Sequence, residues 1–208
     1  ILSTTILSYF FNQENIENVW IDSRNLIKTD TTYRDAVVDW TKTENNIKNQ
    51  IQSEKLYITQ GFIGSDPNHF SVTLGREGSD YSAAIFAYCL DAKSVTIWKD
   101  VPGVLNADPR YFEDTTLLNQ ISYREAIELA FYGASVIHPK TLQPLQKKEI
   151  PLYVKSFVNP TLPGTSVSRG AILEPFVPCF IVKKNQLLIS ISSKDFSFIM
   201  ESQVSEIF

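Results

Sequence analysis

An arginine bracketed by glycines stands directly ahead of a serine–aspartate pair in Thr73-Leu74-Gly75-Arg76-Glu77-Gly78-Ser79-Asp80-Tyr81-Ser82-Ala83-Ala84. Glycines let backbone amides turn toward an anion, and the start of the small-residue helix adds unpaired N–H groups and positive dipole. The Arg76 guanidinium can grip a carboxylate through two parallel hydrogen bonds, while Asp80 supplies the opposite charge nearby. Both signs so close together suit a zwitterion, such as a free amino acid, better than a simple phosphate. The same letters also suit an ordinary N-capped helix with a solvated arginine. The loop alone does not choose.

Its companions follow a strand-and-loop rhythm. Leu56-Tyr57-Ile58 reads as a strand delivering Thr59-Gln60-Gly61-Phe62-Ile63-Gly64, and Val95-Thr96-Ile97-Trp98 reads as a buried strand. The latter leads into Lys99-Asp100-Val101-Pro102-Gly103-Val104 and then Asn106-Ala107-Asp108-Pro109-Arg110. A last block is Tyr132-Gly133-Ala134-Ser135-Val136-Ile137-His138-Pro139-Lys140.

The elements that must position these loops alternate. Helical spacing predicts helices over 1–11, 79–91 and 122–132, with strands at 19–22, 55–59, 94–98 and 151–155. Asp35 to Asp39 reads as extended. Capping-box spacing at Thr41–Glu44 and again at Ser122–Glu125 marks two helix starts, Gly133 a helix end, and Pro139 a first turn. Such alternation favours a mostly parallel sheet with helices on both faces, and in such sheets the ligand crevice lies at the strand C-terminal ends. Phe62, Arg76, Asp80 and Asp100 all fall there.

Bulk composition bounds the function. The 208 residues, 43% hydrophobic and 12% aromatic, can bury a substantial core. A net charge of −4 without charge runs argues against nucleic acid or an anionic membrane as the main partner. No apolar run approaches the ~20 residues of a bilayer span. Cys89 and Cys179 lack paired spacing, which suits reduced thiols in a cytoplasmic protein, and isolated His69 and His138 make no metal site.

In order and spacing, these blocks resemble the aspartate kinases of the amino acid kinase family, over nearly the whole chain. The resemblance implies an α/β fold, a three-layer α/β/α sandwich with a mostly parallel sheet whose N-terminal part is missing. Residues 1–170 would be the C-terminal portion of the catalytic domain and 171–183 a linker. Residues 184–208 would begin an α+β ACT regulatory domain, with a strand over Gln186–Ser192 and a helix from about Asp195. The implied reaction is phosphoryl transfer from ATP, with Mg²⁺, to the side chain of L-aspartate, giving 4-phospho-L-aspartate for lysine, threonine and methionine synthesis. Feedback by lysine or threonine and a homodimer or higher homo-oligomer are further implications. Both termini read as cut, and the phosphate-binding lysine loop and a substrate-contacting glutamate that the family places earlier are absent. The 208 residues are therefore expected to be inactive by themselves.

By the same resemblance Arg76 binds the α-carboxylate of aspartate, and Asp80 orients the amino group and reacting end. Phe62, Gly78 and Ser79 line that pocket. Lys99, Asp100, Leu105, Arg110 and Ser135 fall on the nucleotide side. Phosphoryl transfer to an already ionised carboxylate needs no general base, so the lack of a nucleophile–histidine pair is expected.

Three positions depart from the family pattern. Glu77 replaces a small or amide residue, Leu105 a tyrosine near the adenine, and Ser135 a lysine that reaches the phosphates. Lys99, where threonine is common, is expected to restore that cation. The alternatives are another amino acid kinase and a non-catalytic amino-acid-sensing pseudokinase. The kinase reading further expects Arg76 and Asp80 to converge on one pocket facing the loop at Asp100.

Overall fold

A computed structural model describes residues 1–52, 54–133 and 136–187. The N-terminal part opens with helix α1 (Leu2–Gln13) and strand β1 (Val19–Ile21). A single turn, α2 (Ser23–Leu26), follows, capped by Asp22, whose carboxylate accepts from the Arg24 amide at 3.0 Å. This turn was not expected. Residues 35–39 form no strand, only the isolated bridge from Val38 to Thr29.

Helix α3 (Trp40–Gln50) starts earlier than the Thr41–Glu44 capping box proposed. Asp39 is the N-cap instead, accepting from the Lys42 amide at 3.1 Å. The would-be box glutamate has another partner, Glu44 pairing with Lys48 at 2.6 Å, while buried Thr43 accepts from the Lys28 amide. A carboxylate two residues upstream reaches the free amides first.

Strand β2 (Tyr57–Thr59) lies parallel to β1, with Trp20 opposite Ile58. An unexpected antiparallel hairpin follows, β3 (Ile63–Ser65) with β4 (Ser71–Thr73). Its turn is held by Asp66, whose Oδ1 accepts from the Asn68 and Phe70 amides at 3.0 and 2.8 Å. Helix α4 (Gly78–Cys89) leads to β5 (Val95–Lys99), and β6 (Gln120–Ser122) to α5 (Tyr123–Tyr132). Ser122 and Glu125 form the expected capping box, and Gly133 closes α5 at φ +119°. Then come α6 (Pro139–Lys148), with proline in its first turn, and strands β7 (Leu152–Ser156) and β8 (Thr165–Ser168).

The larger sheet runs β5-β7-β8-β6, parallel between β5 and β7 and between β6 and β8, antiparallel between β7 and β8. Alternating strands and helices thus build the α/β architecture expected, with a mixed rather than uniform sheet. Among the described residues, two apolar clusters form the core. One gathers β5 to β8 with α5 and α6; the other gathers α2 and α3. Helix α4 belongs to both, giving Ala84 and Ala87 to the first and Ile85 and Cys89 to the second.

After β8 the chain runs without helix or strand to residue 187, touching the sheet where Glu174 bridges to Gln120. The strand expected from Gln186 lies largely outside the described residues, and the helix from Asp195 and Ser135 lie wholly outside them. No helix among the described residues is long and apolar enough to cross a membrane.

Candidate functional site

The start of α4 is built from backbone conformations that few side chains tolerate. Gly75 has φ +83° and Glu77, the N-cap, φ +53°. Their turn is closed by the Gly78 amide donating to the Gly75 carbonyl at 3.1 Å. The helix begins at Gly78, so Ser79 sits within the first turn and does not cap it.

A second loop is interlocked with this one. Phe62 also has positive φ, +76°, and its amide donates to Ser82 Oγ at 2.8 Å. The same hydroxyl donates to the Gly78 carbonyl at 2.7 Å, so a single oxygen joins both loops. Side chains would keep them apart. A Cβ on Gly61 would lie 3.0 Å from Ser79 Cα, and one on Gly78 would lie 2.8 Å from the Phe62 ring. Phe62 is 43% exposed, which sets it apart from the core aromatics.

Asp80, in the first turn of α4, faces the end of β5. Its Oδ2 lies 2.8 Å from Lys99 Nζ, with both side chains mostly buried. That oxygen is sealed from solvent and takes no aligned hydrogen bond among the described residues, so the ammonium is close but off line. Lys99 is thus engaged by Asp80, where the sequence reading had it serving a nucleotide phosphate. An unshared carboxylate at this depth draws the nearest cation.

Beyond Lys99 the loop departs with Asp100 exposed. It is pinned further on by Thr165, whose Oγ1 accepts from the Val104 amide at 2.8 Å. A Cβ on Gly103 would strike that hydroxyl at 2.6 Å. Leu105 bridges to Leu117, and Arg110 grips Asp108 at 2.6 Å on the surface, holding the Asp108 carboxyl below the usual carboxylate range. No hydrogen bond or ion pair among the described residues joins Leu105 or Arg110 to Asp80 or Lys99.

Arg76 lies on a different wall. It lines a cleft of about 240 Å³ with Glu77, Phe131, Gly133, His138 and Pro139. Asp80 is not among the residues lining this cleft; Arg76 precedes the helix, and Asp80 lies inside it, where Lys99 of β5 meets it. Glu77 Oε2 is buried and lacks a hydrogen-bond partner among the described residues. His138 is the N-cap of α6, its Nδ1 accepting from the Lys140 amide at 3.2 Å.

Sequence reasoning missed two residues that shape these walls. Ser82 joins the loops, as above; as a small hydroxyl four residues after Gly78 and just ahead of Ala83 and Ala84, it could have been noticed. Asp35 abuts Gly75 and pairs with Lys140 of α6. Nothing in the letters signals that contact. Among the described residues, no three histidine, cysteine or acidic side chains are grouped so as to hold a metal ion.

With fold and site in view, comparison places the protein. The sequence pattern of the Amino acid kinase family matches residues 1–156, and the chain belongs to that family. It is similar to the lysine-sensitive aspartokinase 3 of Escherichia coli (strain K12), 35% identical over 196 residues, covering 93% of this chain and 44% of that one. It is also similar to the chloroplastic bifunctional aspartokinase/homoserine dehydrogenase 2 of Arabidopsis thaliana, 37% identical over 170 residues, 80% of this chain and 19% of the relative. The chain therefore spans less than half the length of these relatives. Among solved structures, E. coli aspartokinase III in complex with aspartate and ADP (R-state) superposes with a TM-score of 0.77 at 37% identity, over 80% of this chain and 38% of that one. UMP kinase from Bacillus anthracis, at 16% identity and TM-score 0.55 over 83% of this chain and 67% of that one, shares the fold.

Proposed function

We propose that the whole protein containing this chain transfers the γ-phosphoryl group of ATP to the side-chain carboxylate of L-aspartate, giving 4-phospho-L-aspartate. The observation that carries this reading is the interlock of the Phe62 and Gly78 loops through Ser82. It fixes Arg76 and Asp80 at one helix start, beside the strand end that opens the loop at Asp100. Relatives named as aspartokinases, one of them solved with aspartate and ADP, support the choice of substrates.

In this reading Arg76, exposed at the mouth of its cleft, takes the α-carboxylate of aspartate in a bidentate grip. Asp80 holds the amino group. Phe62, Gly78 and Ser79 form the rigid floor. Lys99, Asp100, Leu105 and Arg110 belong to the nucleotide side, as does Ser135. ATP arrives as its Mg²⁺ complex, the ion screening the phosphates and polarising the group in transit. The chain's own work is to bring two anions into line and to compensate their repulsion, which is mostly positioning and electrostatics.

The product belongs to lysine, threonine and methionine synthesis, and the reading extends to a cytoplasmic homo-oligomer. Regulation by lysine or threonine fits the relative named as lysine-sensitive and a structure solved with lysine and aspartate (T-state). The test is ATP consumption by the whole protein with L-aspartate, glutamate, N-acetylglutamate, uridylate or carbamate as acceptor. Turnover with aspartate alone is expected, and turnover only with another acceptor, or none with ATP bound, refutes the proposal.

A further inference from the structure

Asp80 and Lys99 belong to different halves of the site, one to the first turn of α4 and the other to the last residue of β5. Their charged atoms are 2.8 Å apart, and the side chains are only 14% and 20% exposed. Attraction at that depth is poorly screened, so the pair holds unless another charge intervenes. Asp80 Oδ2 is sealed from solvent yet takes no aligned hydrogen bond among the described residues, so Lys99 covers this oxygen without satisfying its acceptor directions, and a donor that moved Lys99 aside would find them unfilled. An incoming ammonium at Asp80 would set two cations on one carboxylate. Their mutual repulsion would drive out the one on a flexible four-carbon stem, which is Lys99. Lys99 is rooted where the loop of Asp100 to Arg110 departs, so its release adds positive charge to that side.

Resting on the function proposed above, we infer that Asp80–Lys99 is an exchangeable ion pair. The amino group of the amino-acid substrate replaces Lys99 on Asp80, and the freed ammonium strengthens the hold on nucleotide phosphates. Each substrate then raises the affinity for the other by the same factor, as linkage requires. Nothing covalent changes; one ammonium is exchanged for another.

Calorimetry on the whole protein tests this, with L-aspartate and ADP·Mg²⁺ titrated separately and each in the presence of the other. The expected result is mutual tightening of about fivefold or more. Lys99→Met should bind aspartate alone more tightly than the parent, because Asp80 is then uncontested, and should lose the mutual tightening. Lys99→Arg should restore part of it, and Lys99→Gln serves if the Met variant does not fold. A Lys99→Met protein that keeps the parental coupling factor, or binds aspartate more weakly, overturns the exchange. Binding of both ligands without coupling in the parent overturns the exchange and leaves the kinase reading intact. A parent that binds ADP·Mg²⁺ but no aspartate overturns the kinase reading itself.

Discussion

Asp35 and Lys140, 105 positions apart in the chain, form an ion pair that ties the segment before α3 to the first turn of α6. The same Asp35 carboxylate occupies the space a Cβ on Gly75 would need, and residues 33–36 pair with Thr73 through the Ala36 and Thr73 amides at 3.1 and 2.8 Å. One wall of the Arg76 cleft is thereby latched to the other, where His138 and Pro139 stand. Asp35 is 62% exposed, so the pair contributes less than about 1 kcal/mol to stability. Steady-state kinetics of Asp35→Ala in the whole protein should show KM for aspartate raised about three- to tenfold with kcat little changed, the mark of lost positioning. An unchanged KM would mean that the latch does not shape the cleft.

Gly78→Ala tests the close approach of the two loops. The new Cβ would meet the Phe62 ring at 2.8 Å and Leu74 Cβ at 3.2 Å, and Leu74 is fully buried. Overpacking of this kind costs about 1–3 kcal/mol, of which better helix propensity returns less than about 1. A lower urea midpoint and loss of aspartate turnover are expected. Adding Phe62→Leu should recover part of the stability but not the turnover.

Ser82→Ala removes the oxygen shared by the Phe62 amide and the Gly78 carbonyl. Leaving a partly buried amide without its acceptor costs about 1–3 kcal/mol. Native-state hydrogen exchange should show the Phe62 amide deprotected well beyond the global loss of stability. Uniform acceleration across α4 would instead mean that the hydroxyl supports the helix and not the loop.

Alkaline pH should destabilise the chain. Burial pushes the Cys89 thiol from an ordinary 9.0 up to about 12, and burial with nearby Glu149 pushes the Tyr123 phenol from 10.0 up to about 12. The Tyr123 hydroxyl also donates to the Ile150 carbonyl. Between the ordinary and the raised values the folded state keeps protons that the unfolded state releases, so stability falls as pH rises through that window. Urea midpoints should drop between pH 9 and 11, and Tyr123→Phe should flatten the drop above pH 10. The Cys89 thiol should resist alkylation at pH 8 until the chain unfolds.

Where local chemistry decides structure, the letters were readable. Ser122 and Glu125 cap α5 as their spacing predicted, Gly133 ends it, and Pro139 sits in the first turn of α6. The glycine loop's role in opening α4 was likewise visible, because only glycine suits so close an approach to Phe62. The β3–β4 hairpin was hidden, since its strands have three residues each and its turn depends on one aspartate accepting two amides. The α3 start was misread because two residues of cap-forming type, Asp39 and Thr41, stand two positions apart, and Asp39 caps the helix one step before Trp40. At the site, letters grouped Arg76 with Asp80 but could not show which way each side chain turns. That depends on packing against β5 and α6, contacts far away in sequence.

Helix α4 is the one described element shared by both apolar clusters. A change that shifts α4 would therefore be felt in both clusters at once, because no other described element sends buried side chains into both.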